Sequence, residues 1–153
     1  MTKILFVCHG NICRSPLAEF IMKELVKEKG VEQEFFIASA ATSTEEIGRP
    51  IYPPVRKILD NLGINYSGKT AIQVKRNDYE KYDYIVCMEK YNLRNLARII
   101  GEDSEGKVSL LLDFTDYPRD VADPWYTGDF NTTLKDVTAG CKGLLQYILK
   151  PKS

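Results

Sequence analysis

The sequence predicts an α/β fold, a single three-layer domain in which a four-stranded parallel sheet carries helices on both faces. Three observations predict it. Short apolar runs of strand length alternate with apolar stripes at helical spacing, the pattern of strand–helix–strand units. Pro16, Gly30, Pro53, Pro54, Gly63, Gly101 and Pro151 stand where those helical stripes start or stop. The length, 153 residues, suits one domain spanning 1–153, and no linker, repeat or low-complexity stretch divides it.

Lys3 to Val7 is a short apolar run suited to a strand buried on both faces. Pro16 follows where a first helical turn tolerates proline, with Ser15 as its cap and Glu19 close to that turn. Leu17, Phe20, Ile21 and Leu25 then recur at helical spacing up to a stop at Gly30. Phe35 to Ala38 reads as the second strand, and Ser39 to Tyr52 as a loop rich in Ser, Thr and Glu. Pro53 and Pro54 open a helix through Val55, Ile58, Leu59 and Leu62 that Gly63 closes. Tyr84 to Met88 is the third strand, and Leu93, Leu96, Ala97 and Ile100 belong to a helix ending at Gly101. Lys107 to Phe114 is the fourth strand, and Thr115 to Gly128 a long loop. Val137, Cys141, Leu144, Leu145 and Ile148 mark a final helix stopped by Pro151. Crossovers between parallel strands are expected to be right-handed, with ligands beyond the C-terminal strand ends.

Composition excludes several classes of function. Lys plus Arg and Asp plus Glu are both 21, a net charge of zero that argues against a nucleic-acid partner. No apolar run approaches the ~20 residues that cross a bilayer, and Ile4–Val7 is too short for a signal-peptide core, so a cytoplasmic protein without a membrane partner is expected. Cys8, Cys13, Cys87 and Cys141 are then expected as free thiols. Cys8 and Cys13 do not have a common zinc spacing and His9 is the only histidine, so neither metal nor cofactor is expected.

The segment Cys8-His9-Gly10-Asn11-Ile12-Cys13-Arg14-Ser15-Pro16 joins the first strand to the first helix. A loop there aims backbone N–H groups inward while the helix N-terminus adds positive potential, which suits a phosphate. Gly10 relieves the steric limit on a tight turn, and Asn11 tolerates a left-handed conformation. Arg14 is placed to fold back and grip two phosphate oxygens through its planar fork. A sulfur at Cys8 would sit at the centre of this cage, where the same groups stabilise negative charge. It is then set for in-line attack on phosphorus and a phosphocysteine intermediate, with Ser15 hydrogen-bonding the sulfur as it leaves. A buried strand-end cysteine and a surface arginine are the bland alternative, and the coincidence of all these residue types at one junction outweighs it.

This segment, with Leu17-Ala18-Glu19 after it, resembles the low-molecular-weight protein tyrosine phosphatase family. The likeness extends through Ser39-Ala40-Ala41-Thr42, Gly48, Pro53-Pro54, Asp83–Met88, Asn92-Leu93 and Asp123-Pro124-Trp125-Tyr126, nearly the whole length. It implies sheet order 2-1-3-4, a phosphocysteine on Cys8, and phosphotyrosine proteins or aryl phosphates as substrates, with inorganic phosphate or other oxyanions as inhibitors. It also implies that Ser39 hydrogen-bonds Asn11 and steadies the phosphate-binding loop.

Ester hydrolysis further needs a proton for the leaving oxygen and a base for the attacking water. Asp123 lies in the long loop that starts from the same sheet edge, and Pro124 confines it to extended conformations. Asp113, Asp116 and Asp120 compete for the role on proximity, and the resemblance selects Asp123. Trp125 and Tyr126 beside it are expected to wall a substrate cleft rather than fill a core. Many relatives carry an aromatic residue where Glu45 stands, so one wall is expected to be missing or replaced by Ile47 or Tyr52, with Glu45 repelling anions at the mouth. Cys13 shares the curled loop with Cys8, and proximity together with the family precedent makes it the expected redox partner.

Two other functions compete. A thioredoxin-coupled arsenate reductase would need two further cysteines near each other, whereas Cys87 falls in a strand and Cys141 in a helix. An idle phosphotyrosine-binding module would be expected to lack Cys8 or Asp123. Phosphoarginine phosphatases of the same family carry Thr where Ile12 stands, which favours phosphotyrosine here.

Overall fold

In a computed structural model that describes residues 1–151, the chain opens with strand β1, Thr2–Cys8, which becomes the inner strand of the sheet. It pairs in parallel with β2, Phe35–Ala41, on one side and with β3, Tyr84–Cys87, on the other; β4, Val108–Leu110, completes the order 2-1-3-4. The last two residues of the expected 1–153 domain lie outside the described residues. Because strand side chains alternate, β1 supplies both faces. Ile4, Phe6 and Cys8 join a core shared with helices α1 (Arg14–Glu28), α2 (Pro53–Asn61) and α6 (Phe130–Leu149). Leu5 and Val7 face the opposite core, with α3 (Asp78–Lys81) and α4 (Lys90–Ile100). A short helix α5, Pro124–Thr127, precedes α6. The three-layer α/β architecture therefore stands, with every strand parallel.

Four readings of the sequence differ from the structure. Thr115 to Gly128, expected as one long loop, ends in α5, because Pro124 suits a first helical turn and Asp123 caps it. Ser39–Ala41 extend β2 rather than open a loop, since they pair with Phe6–Cys8. Their small side chains do not look strand-like in sequence, yet the register carries them to the sheet edge where β1 ends. The fourth strand stops at Leu110, not Phe114: the Asp113 carboxylate accepts the Leu110 N–H at 3.2 Å and the chain turns as a 3-10 helix over Leu111–Phe114. Ser15 does not cap α1, which already begins at Arg14; its hydroxyl is engaged elsewhere, as described below.

The 3-10 turn packs tightly on α6. A Cβ at Gly143 would fall 2.0 Å from the Phe114 carbonyl oxygen, and one at Gly140 would fall 2.4 Å from Leu111 Cγ. These glycines let the last helix approach the sheet's end. No helix among the described residues is long and apolar enough to cross a membrane.

Candidate active site

β1 delivers Cys8 to the C-terminal edge of the sheet, and α1 departs six residues later with its N-terminus facing the same loop. The loop curls around the sulfur. Asn11 takes the left-handed conformation, φ 58°, and donates its N–H to Cys8 Sγ at 3.3 Å. Gly10 does not need a positive φ; it supplies room instead, since a Cβ there would press to 3.3 Å from Glu46 Cγ.

The fully buried Asn11 side chain locks this shape. Its amide donates to Ser15 Oγ at 2.8 Å and Ser39 Oγ at 2.9 Å, while its carbonyl accepts the Ile72 N–H at 3.2 Å. The Ser39 hydroxyl donates to Glu19 Oε1 at 2.6 Å, and Lys23 and Lys69 balance that buried carboxylate. Since Ser15 Oγ accepts from Asn11, its own hydrogen is free for Cys8 Sγ, 2.9 Å away. A buried polar network in which each member finds a partner rigidifies its surroundings.

Arg14 is almost wholly buried. Nη1 donates to the Val121 carbonyl at 2.8 Å, and Nη2 lies 3.2 Å from Glu89 Oε1 and 3.3 Å from Asp123 Oδ2. Burial alone would lower its pKa, but the facing Cys8, Glu89 and Asp123 outweigh that and raise it. The cation is permanent. Glu89 itself is fixed at the start of α4, where Asn92 Oδ1 accepts the N–H groups of Met88 and Glu89.

Asp123 is extended, φ −77° and ψ 113°, as a residue before proline should be, and caps α5 by accepting the Trp125 N–H at 3.0 Å. Its other oxygen faces Arg14. The nucleophile candidate, the guanidinium and the carboxyl thus meet in one small pocket, lined also by His9, Gly10, Ile12, Cys13, Glu46 and Trp125. Trp125 forms an open wall and is braced from behind by Tyr52, ring centroids 4.9 Å apart. Burial, followed by the nearby Cys8, pushes the Cys13 thiol up to about 12.

Two residues expected at the cleft are not in that lining. Glu45 points past it, its carboxylate 3.0 Å from His9 Nε2, and the following residue, Glu46, takes the place at the wall. Tyr126 is 84% exposed and turned outward. Sequence reading missed Glu46, Glu89 and the Val121 carbonyl. Glu89 follows the third strand's C-terminal end, a position that could have flagged it; a backbone carbonyl leaves no mark in a sequence.

The model of the low molecular weight phosphotyrosine protein phosphatase family matches residues 3–153. The chain belongs to that family. A low molecular weight protein-tyrosine-phosphatase of Bacillus subtilis, YfkJ, is 38% identical over 154 residues, covering 99% of both chains. The YfkJ crystal structure aligns at TM-score 0.94 over 100% of this chain and 98% of that one. The low molecular weight phosphotyrosine protein phosphatase of Gallus gallus is 38% identical over 94% of this chain and 93% of its own. Wzb of Vibrio vulnificus, solved with benzylphosphonate, is 25% identical at TM-score 0.80, covering 95% and 98% of the two chains. Members of this phosphatase family are phosphoric monoester hydrolases. The loop from Cys8 to Arg14 and the carboxyl of Asp123 are parts of this low molecular weight phosphatase that converge on the pocket.

Proposed function

We propose that the protein is a protein tyrosine phosphatase that hydrolyses phosphotyrosine and aryl phosphates through a phosphocysteine on Cys8. The observation that carries this reading is the meeting of Cys8, Arg14 and Asp123 in one pocket, from chain positions more than a hundred residues apart. The substrate phosphate lies among the loop amides and the Arg14 guanidinium, with the aryl ring along Trp125. Cys8 Sγ attacks phosphorus in line, the P–O bond breaks, and Asp123 gives its proton to the leaving phenolate oxygen. Asp123, now a carboxylate, takes a proton from water as that water attacks the phosphocysteine. Inorganic phosphate leaves, and the Ser15 hydroxyl donates to the departing sulfur. The scheme needs no metal or cofactor.

The benzylphosphonate complex of Wzb supports an oxyanion site of this kind, because a phosphonate presents the same three oxygens as an aryl phosphate. Phosphate and related oxyanions are accordingly inhibitors. The reading places the whole of residues 1–153 in one cytoplasmic phosphatase domain, where Cys13 serves as redox partner of Cys8. Cys87 and Cys141 are both buried in separate elements, which disfavours an arsenate-reductase relay. Hydrolysis of p-nitrophenyl phosphate by the wild type and its loss in Cys8→Ser, with retention of phosphate binding, are the expected results. Substantial turnover by purified Cys8→Ser would overturn the mechanism.

A further inference from the structure

The loop that ends in Asp123 is fastened to α6 by an ion pair that the chemistry above does not use. Residues 115–123 contain no helix or strand, so their placement depends on side chains and isolated backbone bonds. Within them, Arg119 Nη2 donates to Asp136 Oδ1 at 2.6 Å, and Asp136, on α6, is only 7% exposed. The same guanidinium donates through Nη1 to the Tyr117 carbonyl at 2.7 Å and lies 4.8 Å over the Tyr117 ring. One planar group therefore braces the loop internally and ties it to a helix. On the other side, Asp120 Oδ1 accepts the Lys90 N–H at 3.2 Å and the Val121 N–H reaches the Met88 carbonyl at 2.8 Å. Val121, two residues beyond Arg119, supplies the carbonyl that holds Arg14.

We propose that Arg119 and Asp136 are positioning residues for the general acid. Their pair fixes the loop so that the Val121 carbonyl and the Asp123 carboxyl arrive together at Arg14. The proposal rests on the reading of Asp123 as the proton donor. A guanidinium that satisfies two acceptors at once has one orientation available, which lysine or a lone hydrogen bond would not impose. A buried carboxylate that loses its partner is costly, so Asp136 holds the arginine in place. A shift of about 1 Å in a reacting group can cost on the order of 10²-fold in rate.

The test uses the full chain with Arg119→Met, Arg119→Lys and Asp136→Asn, read in two ways. First, turnover is measured across aryl phosphates whose leaving phenols range from strongly acidic to tyrosine-like. Second, acrylamide quenching and anisotropy are measured for Trp125, the only tryptophan and a neighbour of Asp123. Arg119→Met is expected to lose on the order of tenfold on phosphotyrosine, part of the 10²–10⁴-fold that a positioned acid supplies, and roughly twofold or less on the most acidic phenols. Arg119→Lys should fall between it and the wild type. Trp125 should become more quenchable and less polarised in the same order. Equal loss on every substrate, or unchanged Trp125 signals, would overturn the proposal. Should Arg119→Met fold poorly, Asp136→Asn decides, because it keeps the shape and an acceptor. If Asp123→Asn shows no dependence on the leaving group, the acid reading falls, and the Trp125 signals still decide whether the pair holds the loop.

Discussion

Asp123 divides its carboxyl between the Trp125 N–H and the Arg14 guanidinium, so one oxygen orients the group while the other faces the reacting centre. Asp123→Asn keeps an acceptor for Trp125 but removes both the transferable proton and the charge that faces Arg14. It should lower kcat on phosphotyrosine by about 10²–10⁴-fold, and by much less when the leaving phenol is acidic. An unchanged rate on phosphotyrosine would assign the proton to another group. Cys13 makes a second prediction at this scale. With its pKa pushed up to about 12 it stays a thiol at neutral pH, so peroxide meets Cys8 first. Cys8 should then become a sulfenic acid that the Cys13 sulfur attacks, forming the S–S bond as water leaves. Wild-type activity should return with a dithiol, whereas Cys13→Ser should keep activity and recover poorly after the same exposure. Because the attacking species is the thiolate, which burial disfavours, disulfide closure should quicken as the pH rises from neutral to mildly alkaline. Peptide mass mapping of timed, acid-quenched samples checks this, and a pH-independent rate would contradict it.

Elements carry the next level of control. α6 lies against the 3-10 turn with Gly143 under the Phe114 carbonyl, where a methyl group has no room. Alanine favours an exposed helix by about 1 kcal/mol over glycine, yet here overpacking against backbone should dominate. Gly143→Ala is expected to destabilise by about 1–3 kcal/mol, a fall in Tm of several degrees for a domain of this size. A thermal melt that shows a gain would mean the turn yields easily. The elements themselves were largely legible, because a short continuous apolar run gives way to an apolar stripe at 3.6-residue spacing between β1 and α1, and between β3 and α4, without any tertiary knowledge. What the sequence concealed was set by pairing partners. Ser39–Ala41 became strand because Phe6–Cys8 lie beside them, and the strand expected to reach Phe114 ended where Asp113 turned back on Leu110. The site divides in the same way. Cys8, Asn11 and Arg14 share one loop and were readable locally, whereas Glu46, Glu89 and the Val121 carbonyl reach it only through the fold.

At the scale of the whole molecule, the pocket and the core are not separable, since Arg14 is at once a buried member of α1 and the cation of the site. Oxyanion binding should therefore read out as global stability. Inorganic phosphate at a hundredfold its Kd should add about 2.7 kcal/mol to folding stability, a rise in Tm that calorimetry detects. Arg14→Ala should lower the baseline Tm, because Glu89 and the Val121 carbonyl lose their partner, and should abolish the phosphate-dependent rise. A rise equal to that of the wild type would show that the anion is held elsewhere. The sheet order has a consequence for biosynthesis. β1 is made first but lies between β2 and β3, so it waits for partners that follow by some thirty and eighty residues. At a translation rate of roughly 5–20 residues per second, the loop from Cys8 to Arg14 leaves the ribosome seconds before Val121 and Asp123 are synthesised. Until they arrive, Cys8 lacks the carboxyl it shares the pocket with and Arg14 lacks its carbonyl anchor. On the proposed mechanism, catalytic competence should thus be acquired only late in synthesis.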